Sequence, residues 1–169
     1  EAALPPLPTE IRDLSIPVID ISEETHRQVV VAAGTETEYR GQVNTVLMSD
    51  GKTIFATWSI GHGGRCGPLI KSIDGGITWS GLLVTPKNWG QISSCPCIFR
   101  MRDSKDVERL FVFAGRGKHH SAMSEDGGTT WTPMKETGLF KPGGNTAIIP
   151  IDHGRRHLLL MQRGPTDAP

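Results

Sequence analysis

From Gln28 onward the apolar residues gather into short runs: QVVVAA, VNTVLM, KTIFATW, PLIKSI, CIFRM, RLFVFAG, TAIIP and RHLLLMQR. Each run is bounded by Gly, Pro, Asp or Asn. Brief β-rich runs punctuated by turn formers predict an all-β chain built as a sandwich, barrel or propeller. Residues 1–26 read differently. They hold Pro5, Pro6, Pro8 and Pro17 with no sustained period, which predicts an extended N-terminal strap with one short helical turn near Thr9 to Leu14.

One octapeptide narrows the choice of fold. SIDGGITW, Ser72 to Trp79, returns as SEDGGTTW, Ser124 to Trp131, with Asp74 and Asp126 standing 52 positions apart. A fixed period of this size marks a repeat architecture. The residues before each octapeptide correspond as well: VNTVLMSDGKTIFATWSIGHGG lies over CIFRMRDSKDVERLFVFAGRGKHH, and TAIIPIDHGRRHLLLMQRGPTD begins a third copy. Each unit reads as strand A, a polar turn, strand B, a loop, strand C, the octapeptide and strand D, which is a four-stranded propeller blade. The expectation is a partial propeller over residues 27–169. It holds about two and a half to three blades: one over 43–85, a second over 97–136, and the start of a third over 145–163.

Within the octapeptide the expected roles are structural. Asp74 and Asp126 bond backbone N–H groups across a tight turn, in a frame completed by Ser72, Thr78, Ser124 and Thr130. Gly76 and Gly128, each the second of a glycine pair, supply positive φ, and the closing Trp79 and Trp131 pack between neighbouring sheets.

Composition changes this picture little. The 169 residues suit one domain, and 18 Lys and Arg balance 18 Asp and Glu, so no charge excess marks the chain as a binder of nucleic acid or of membrane surfaces. No apolar run approaches the ~20 residues of a membrane-spanning helix, and no signal-peptide pattern is present in the sequence. Because it begins at Glu1 without Met, a processed precursor or a trimmed chain is expected. Cys66, Cys95 and Cys97 are odd in number, and the SCPC spacing is awkward for a mutual disulfide, so three free, partly buried thiols are expected, with no metal. Gly61, Gly63 and Gly64 resemble a phosphate loop only superficially, since no helix follows, and no cofactor is expected.

Strand order segregates the loops. The octapeptide turns and the A to B turns share one end of the blades, so the B to C loops and the D to A connections share the other. That second end collects Arg40, Gln42, His62 and Arg65 from the first unit, and Trp89, Gln91, Arg116, Lys118, His119 and His120 from the second. Lys141, Asn145 and Arg163 come from the third. Arginine grips carboxylates bidentately and several cations around a concavity focus the field, so an anionic ligand is expected, an acidic sugar such as a sialic or uronic acid. Nucleic acid is not expected, because Trp89 is the only loop aromatic available for stacking. The competing readings are ordinary ones. Arg40 can pair with Glu36 or Glu38; Arg65, Arg116 and Lys118 can be solvated loop charges; His119 and His120 point to opposite faces of a strand; Trp89 can be a packing residue.

The octapeptide resembles the Asp-box, S-x-D-x-G-x-T-W, of sialidases and related bacterial neuraminidase-like propellers. The stretch EYRGQVNTVLMSDGKTIFATWSIGHGG, followed by SIDGGITWS, VTPKNWG and RLFVFAG, is similar to the first half of bacterial proteins of the exo-α-sialidase type, over roughly residues 15–165. The resemblance implies a six-bladed propeller, a glycoside hydrolase acting on terminal acidic sugars of glycoconjugates, and a secreted or periplasmic setting. It carries Arg40 over as a carboxylate-binding arginine, although Gly41-Gln42 stands where the family has Ile-Pro. The first B to C loop, SIGHGGRC, lacks the family's acid/base Asp, which leaves His62 as the candidate acid/base. The family's Tyr/Glu nucleophile pair belongs to the second half of the propeller, which this chain does not reach, and its one tyrosine is Tyr39. Three readings therefore stand: part of a sialidase-like hydrolase, inactive as this chain alone; a non-catalytic carbohydrate-binding propeller; or a self-associating module. In the last, a homodimer or a C-terminal half completes the ring.

Overall fold

The computed structural model describes residues 19–103, 105–138, 142–151 and 156–163. They are all-β, arranged as consecutive antiparallel sheets. The first sheet orders β1 (Arg40–Leu47), β2 (Ile54–Ile60) and β3 (Leu69–Ser72). The second orders β4 (Cys97–Arg102), β5 (Glu108–Ala114), β6 (His120–Ser124) and the short β7 (Lys135–Glu136). The third pairs β8 (Pro142–Ile151) with β9 (Arg156–Arg163). Single 3-10 turns at Thr25–Arg27 and Lys87–Gln91 are the only helical elements among the described residues.

Two expectations at the level of strands need correction. The first sheet has three strands rather than four. After β3 the Ser80 N–H donates to Lys71 O and the Leu83 N–H to Leu69 O, both at 2.8 Å, so three residues on one side answer two on the other. That mismatch is a bulge, and it breaks the ladder. The run QVVVAA forms no strand either; Val31 and Ala32 lie against Ala56, Trp58 and Ile70 instead, covering a face rather than extending an edge. The helical turn expected near Thr9 to Leu14 lies outside the described residues.

Alternation along β2 explains how the sheets stack. Phe55, Thr57 and Ser59 face one way and Ile54, Ala56 and Trp58 the other, and because both faces are covered the strand reads as a nearly continuous buried run. On the first face Phe55, Leu69 and Trp89 meet Leu110, Val112, Ala114, Ala122 and Met134 of the second sheet in one core, and each large side chain removed from water contributes about 1.5–3 kcal/mol. Trp89 meets Trp131 edge to face, with ring centroids 5.2 Å apart. Gly128 lies directly on the Phe55 ring: a Cβ there would stand 2.4 Å from it, and φ is +85°. Only glycine suits both demands. Beside this core β1 lies along β4, where the Ile98 N–H donates to Asn44 Oδ1 at 2.8 Å, and β8 lies along β4 and β5.

The two octapeptides fold alike. The Thr78 N–H and hydroxyl donate to the Asp74 carboxylate at 2.9 and 2.6 Å, and the Ser72 hydroxyl donates to it at 2.7 Å. Ser72 Oγ accepts the Gly76 N–H at 2.8 Å, and Trp79 Nε1 donates to Gly76 O at 3.0 Å. In the second copy Thr130 donates to Asp126 at 2.8 and 2.6 Å, Ser124 Oγ lies 2.8 Å from both Asp126 Oδ1 and the Gly128 N, and Trp131 Nε1 donates to Gly128 O at 3.2 Å. Hydrogen bonds to the ionised form, first from the Thr78 or Thr130 hydroxyl, lower Asp74 and Asp126 from 3.8 to about 2.

Candidate functional site

At the end of the sheets away from the octapeptides, backbone bonds draw four segments together. Residues 61–64 form a tight turn after β2, and Arg65 bridges back to Ile60 and across to Ser93. The Cys66 N–H donates to Ile92 O and the Ser94 N–H to Gly64 O, both at 2.8 Å, so residues 92–94 clamp the turn. Ser94 O then accepts the Gly115 N–H at 3.4 Å, which ties in the loop between β5 and β6, and Tyr39 O accepts the Gly61 N–H at 2.8 Å, which ties in the approach to β1.

Serine 94 and Cys95 take positive φ, +78° and +29°, a region costly for residues with a side chain, and such positions persist where the surroundings fix them. This clamp is what sequence reading missed. The sequence places the SSCP run ahead of β4 in a D to A connection at this end, but nothing in it announces the positive φ of Ser94 and Cys95.

The expected site residues separate into those held elsewhere and those left open. Arg40 forms an ion pair with Glu38 and donates from Nε to Ala33 O at 3.1 Å, which is the competing reading given above. Both line a recess of about 440 Å³ along residues 34–40. Gln42 sits at a bulge of β1 with φ +54°, and its Oε1 accepts the Gly63 N–H at 3.1 Å and lies 3.2 Å from Ser59 Oγ. It therefore braces the 61–64 turn. Lys118 is paired with Glu136 at 2.8 Å, a contact made when β7 aligns with β6.

His119 is buried, stacked on Phe113 at 5.5 Å, with Nδ1 3.1 Å from Thr137 Oγ1, while His120 Nδ1 lies 2.9 Å from Lys118 O. Trp89 is fully buried in the core and Gln91 is exposed. For Arg163 the backbone pairs with Pro142; its side chain, with that of Asn145 and all of Lys141, lies outside what is described.

Arg65 and Arg116 remain. Both are exposed on loops joined through Ser94, and among the described residues no ion pair or hydrogen bond engages either guanidinium. His62, exposed on the same turn as Arg65, likewise has no side-chain partner there. Two arginines flanking one backbone clamp can take an anion between them, or one can grip a carboxylate bidentately. Cys66, Cys95 and Cys97 form no disulfide among the described residues; burial pushes Cys66 up to about 12 and Cys97 up to about 11, with neighbouring thiols adding to both. Among the described residues no group of three His, Cys, Asp or Glu is placed to hold a metal ion. No helix there is long and apolar enough to cross a membrane. No model of a known protein family matches the chain, and a search of curated proteins returns no match either.

Proposed function

We propose that the chain is part of an Asp-box β-propeller of the sialidase-like kind, and that its Arg65 and Arg116 end binds the carboxylate of an acidic sugar. The propeller reading is supported by the 52-residue repeat, by the matching hydrogen bonds of the two octapeptides, and by the way β1, β4 and β8 succeed one another side by side. The observation that carries the ligand reading is the pair of unengaged arginines on loops clamped through Ser94. Ion pairing has already satisfied Arg40 and Lys118. What remains uncompensated at this end is positive charge aimed at solvent.

Titration calorimetry with sialic acid, glucuronic acid and their neutral parent sugars tests the proposal. Arg65→Ala and Arg116→Ala are each expected to weaken the acidic sugar at least about tenfold, or 1.4 kcal/mol, with melting temperature unchanged. Equal affinity for acidic and neutral sugars, or variants that bind like the wild type, would sink it. A second reading, hydrolysis, is favoured by His62 alone, an exposed imidazole that shares its turn with Arg65 and is of a type that serves as general acid or base. It predicts slow release of the aglycone from an aryl sialoside that disappears in His62→Ala. Glycosidases need an acid plus a base or nucleophile, and the 61–66 turn carries no carboxylate to join His62, so binding is the reading preferred here.

A further inference from the structure

The repeat makes the two sheets comparable residue by residue, and the comparison exposes a surface filled only in part: Ala56 and Ile70 are buried beneath Val31 and Ala32, while the octapeptide end beside them is open. In the second sheet, Leu110, Val112, Ala122, Trp131 and Met134 form the face that receives the first sheet. Strand register places Ile54, Ala56 and Ile70 at the first three positions, and the octapeptide places Trp79 and Leu82 at the last two. This is the face of the first sheet turned away from the shared core. Only Val31 and Ala32 are packed on it among the described residues.

The consequences are local and measurable. Met134 is 5% exposed and its counterpart Leu82 is 71% exposed. Gly128 carries the Phe55 ring, whereas Gly76 has only Ile54 and its own Trp79 within 4 Å. Trp131 is met by Trp89, and among the described residues Trp79 is met by no aromatic ring. Ile73, Ile77 and Val84 are exposed around the same octapeptide, where the second copy has Glu125, Thr129 and Glu136. The face also strands a donor, since Trp58 is 4% exposed and its Nε1 has no acceptor among the described residues.

We propose that a second copy of this chain covers this face, seating its β8–β9 sheet over Gly76, Trp79 and Leu82. The duplicated geometry specifies the occupant as another sheet of the same repeat, because that is what the equivalent face of the second sheet already holds. The β8–β9 sheet is such a sheet. It has no successor among the described residues, and Ile149 and Ile151, which share one side of β8, are exposed. The contact is head to tail, so both copies use different surfaces, and two such contacts related by a half turn close into a discrete pair. The inference stands on the repeat alone, whatever ligand the opposite end takes.

Light scattering across a dilution series tests it. The wild type is expected to rise from 18.4 kDa towards twice that mass, and Leu82→Glu to raise the midpoint concentration at least about tenfold. Leu82→Lys, at the same largely exposed side chain, is expected to do the same and guards against misfolding of a single variant. Val107→Glu, an exposed apolar position on the other sheet, is expected to leave the mass unchanged. A wild type that stays at 18.4 kDa to its solubility limit overturns the proposal, as would association untouched by either first-sheet variant while circular dichroism shows both folded. Sugar binding measured on the same samples reports separately on Arg65 and Arg116.

Discussion

Asp74 and Asp126 act as backbone anchors, gathering the N–H and hydroxyl of a threonine four residues on into one carboxylate. The anchor works only while ionised, which fixes a pH dependence. Both groups are lowered from 3.8 to about 2, so their contribution is complete above 3.8 and is lost as pH falls through about 2. The melting temperature of the wild type is therefore expected to drop across that window. Asp74→Asn with Asp126→Asn should start lower and drop less, as followed by circular dichroism. Asp50 and Asp103, also held at about 2, keep a residual slope in the variant. An undiminished slope would remove the octapeptide carboxylates as the linked groups. The carboxylate's hydrogen bonds in this turn were legible in the sequence because their partners lie within four residues, whereas the seating of Gly128 on Phe55 and of Trp131 on Trp89 joins distant segments. The fate of Lys118 was not legible either, because Glu136 reaches it only through strand pairing 18 positions away.

Elements inherit the same divide between local and distant causes. Strands β1 to β5, with β8 and β9, were readable from short apolar runs between turn formers and β6 only from the repeat, whereas the fourth strand of the first sheet was lost to a one-residue bulge that no composition announces. QVVVAA was correctly apolar and wrongly a strand, since β propensity records a surface suited to packing as much as a ladder. The glycine pair offers a test of stacking at this scale. Gly76→Ala and Gly128→Ala both place a side chain at strongly positive φ, costing about 1–2 kcal/mol. Only at Gly128 does the new methyl collide with Phe55, which adds about 1–3 kcal/mol of overpacking. Urea unfolding in dilute solution, where no second copy covers the octapeptide end of the first sheet, is expected to rank Gly128→Ala as the more damaging. Equal losses would mean that the Phe55 contact yields without cost.

At the scale of the whole molecule, strand order alone placed the cationic loops at one end, and the structure does bring the turn after β2, the approach to β4 and the β5–β6 loop together there. Which cations stay unengaged was beyond the sequence, because Glu38 lies beside Arg40 while Arg65 and Arg116 have no such neighbour. The Ser94 clamp has one more consequence. Cys66 lies beneath it with Sγ 3.5 Å from Ser94 O, and as a thiol held at about 12 it is almost wholly unreactive at neutral pH. Alkylation by iodoacetamide must then wait until residues 92–94 lift away, so the labelling rate of Cys66, read by mass spectrometry after timed pulses, becomes a clock for the opening of the loop end. An acidic sugar held between Arg65 and Arg116 spans the parts that must separate, and it is expected to slow that clock; a rate indifferent to saturating sugar would place the ligand elsewhere.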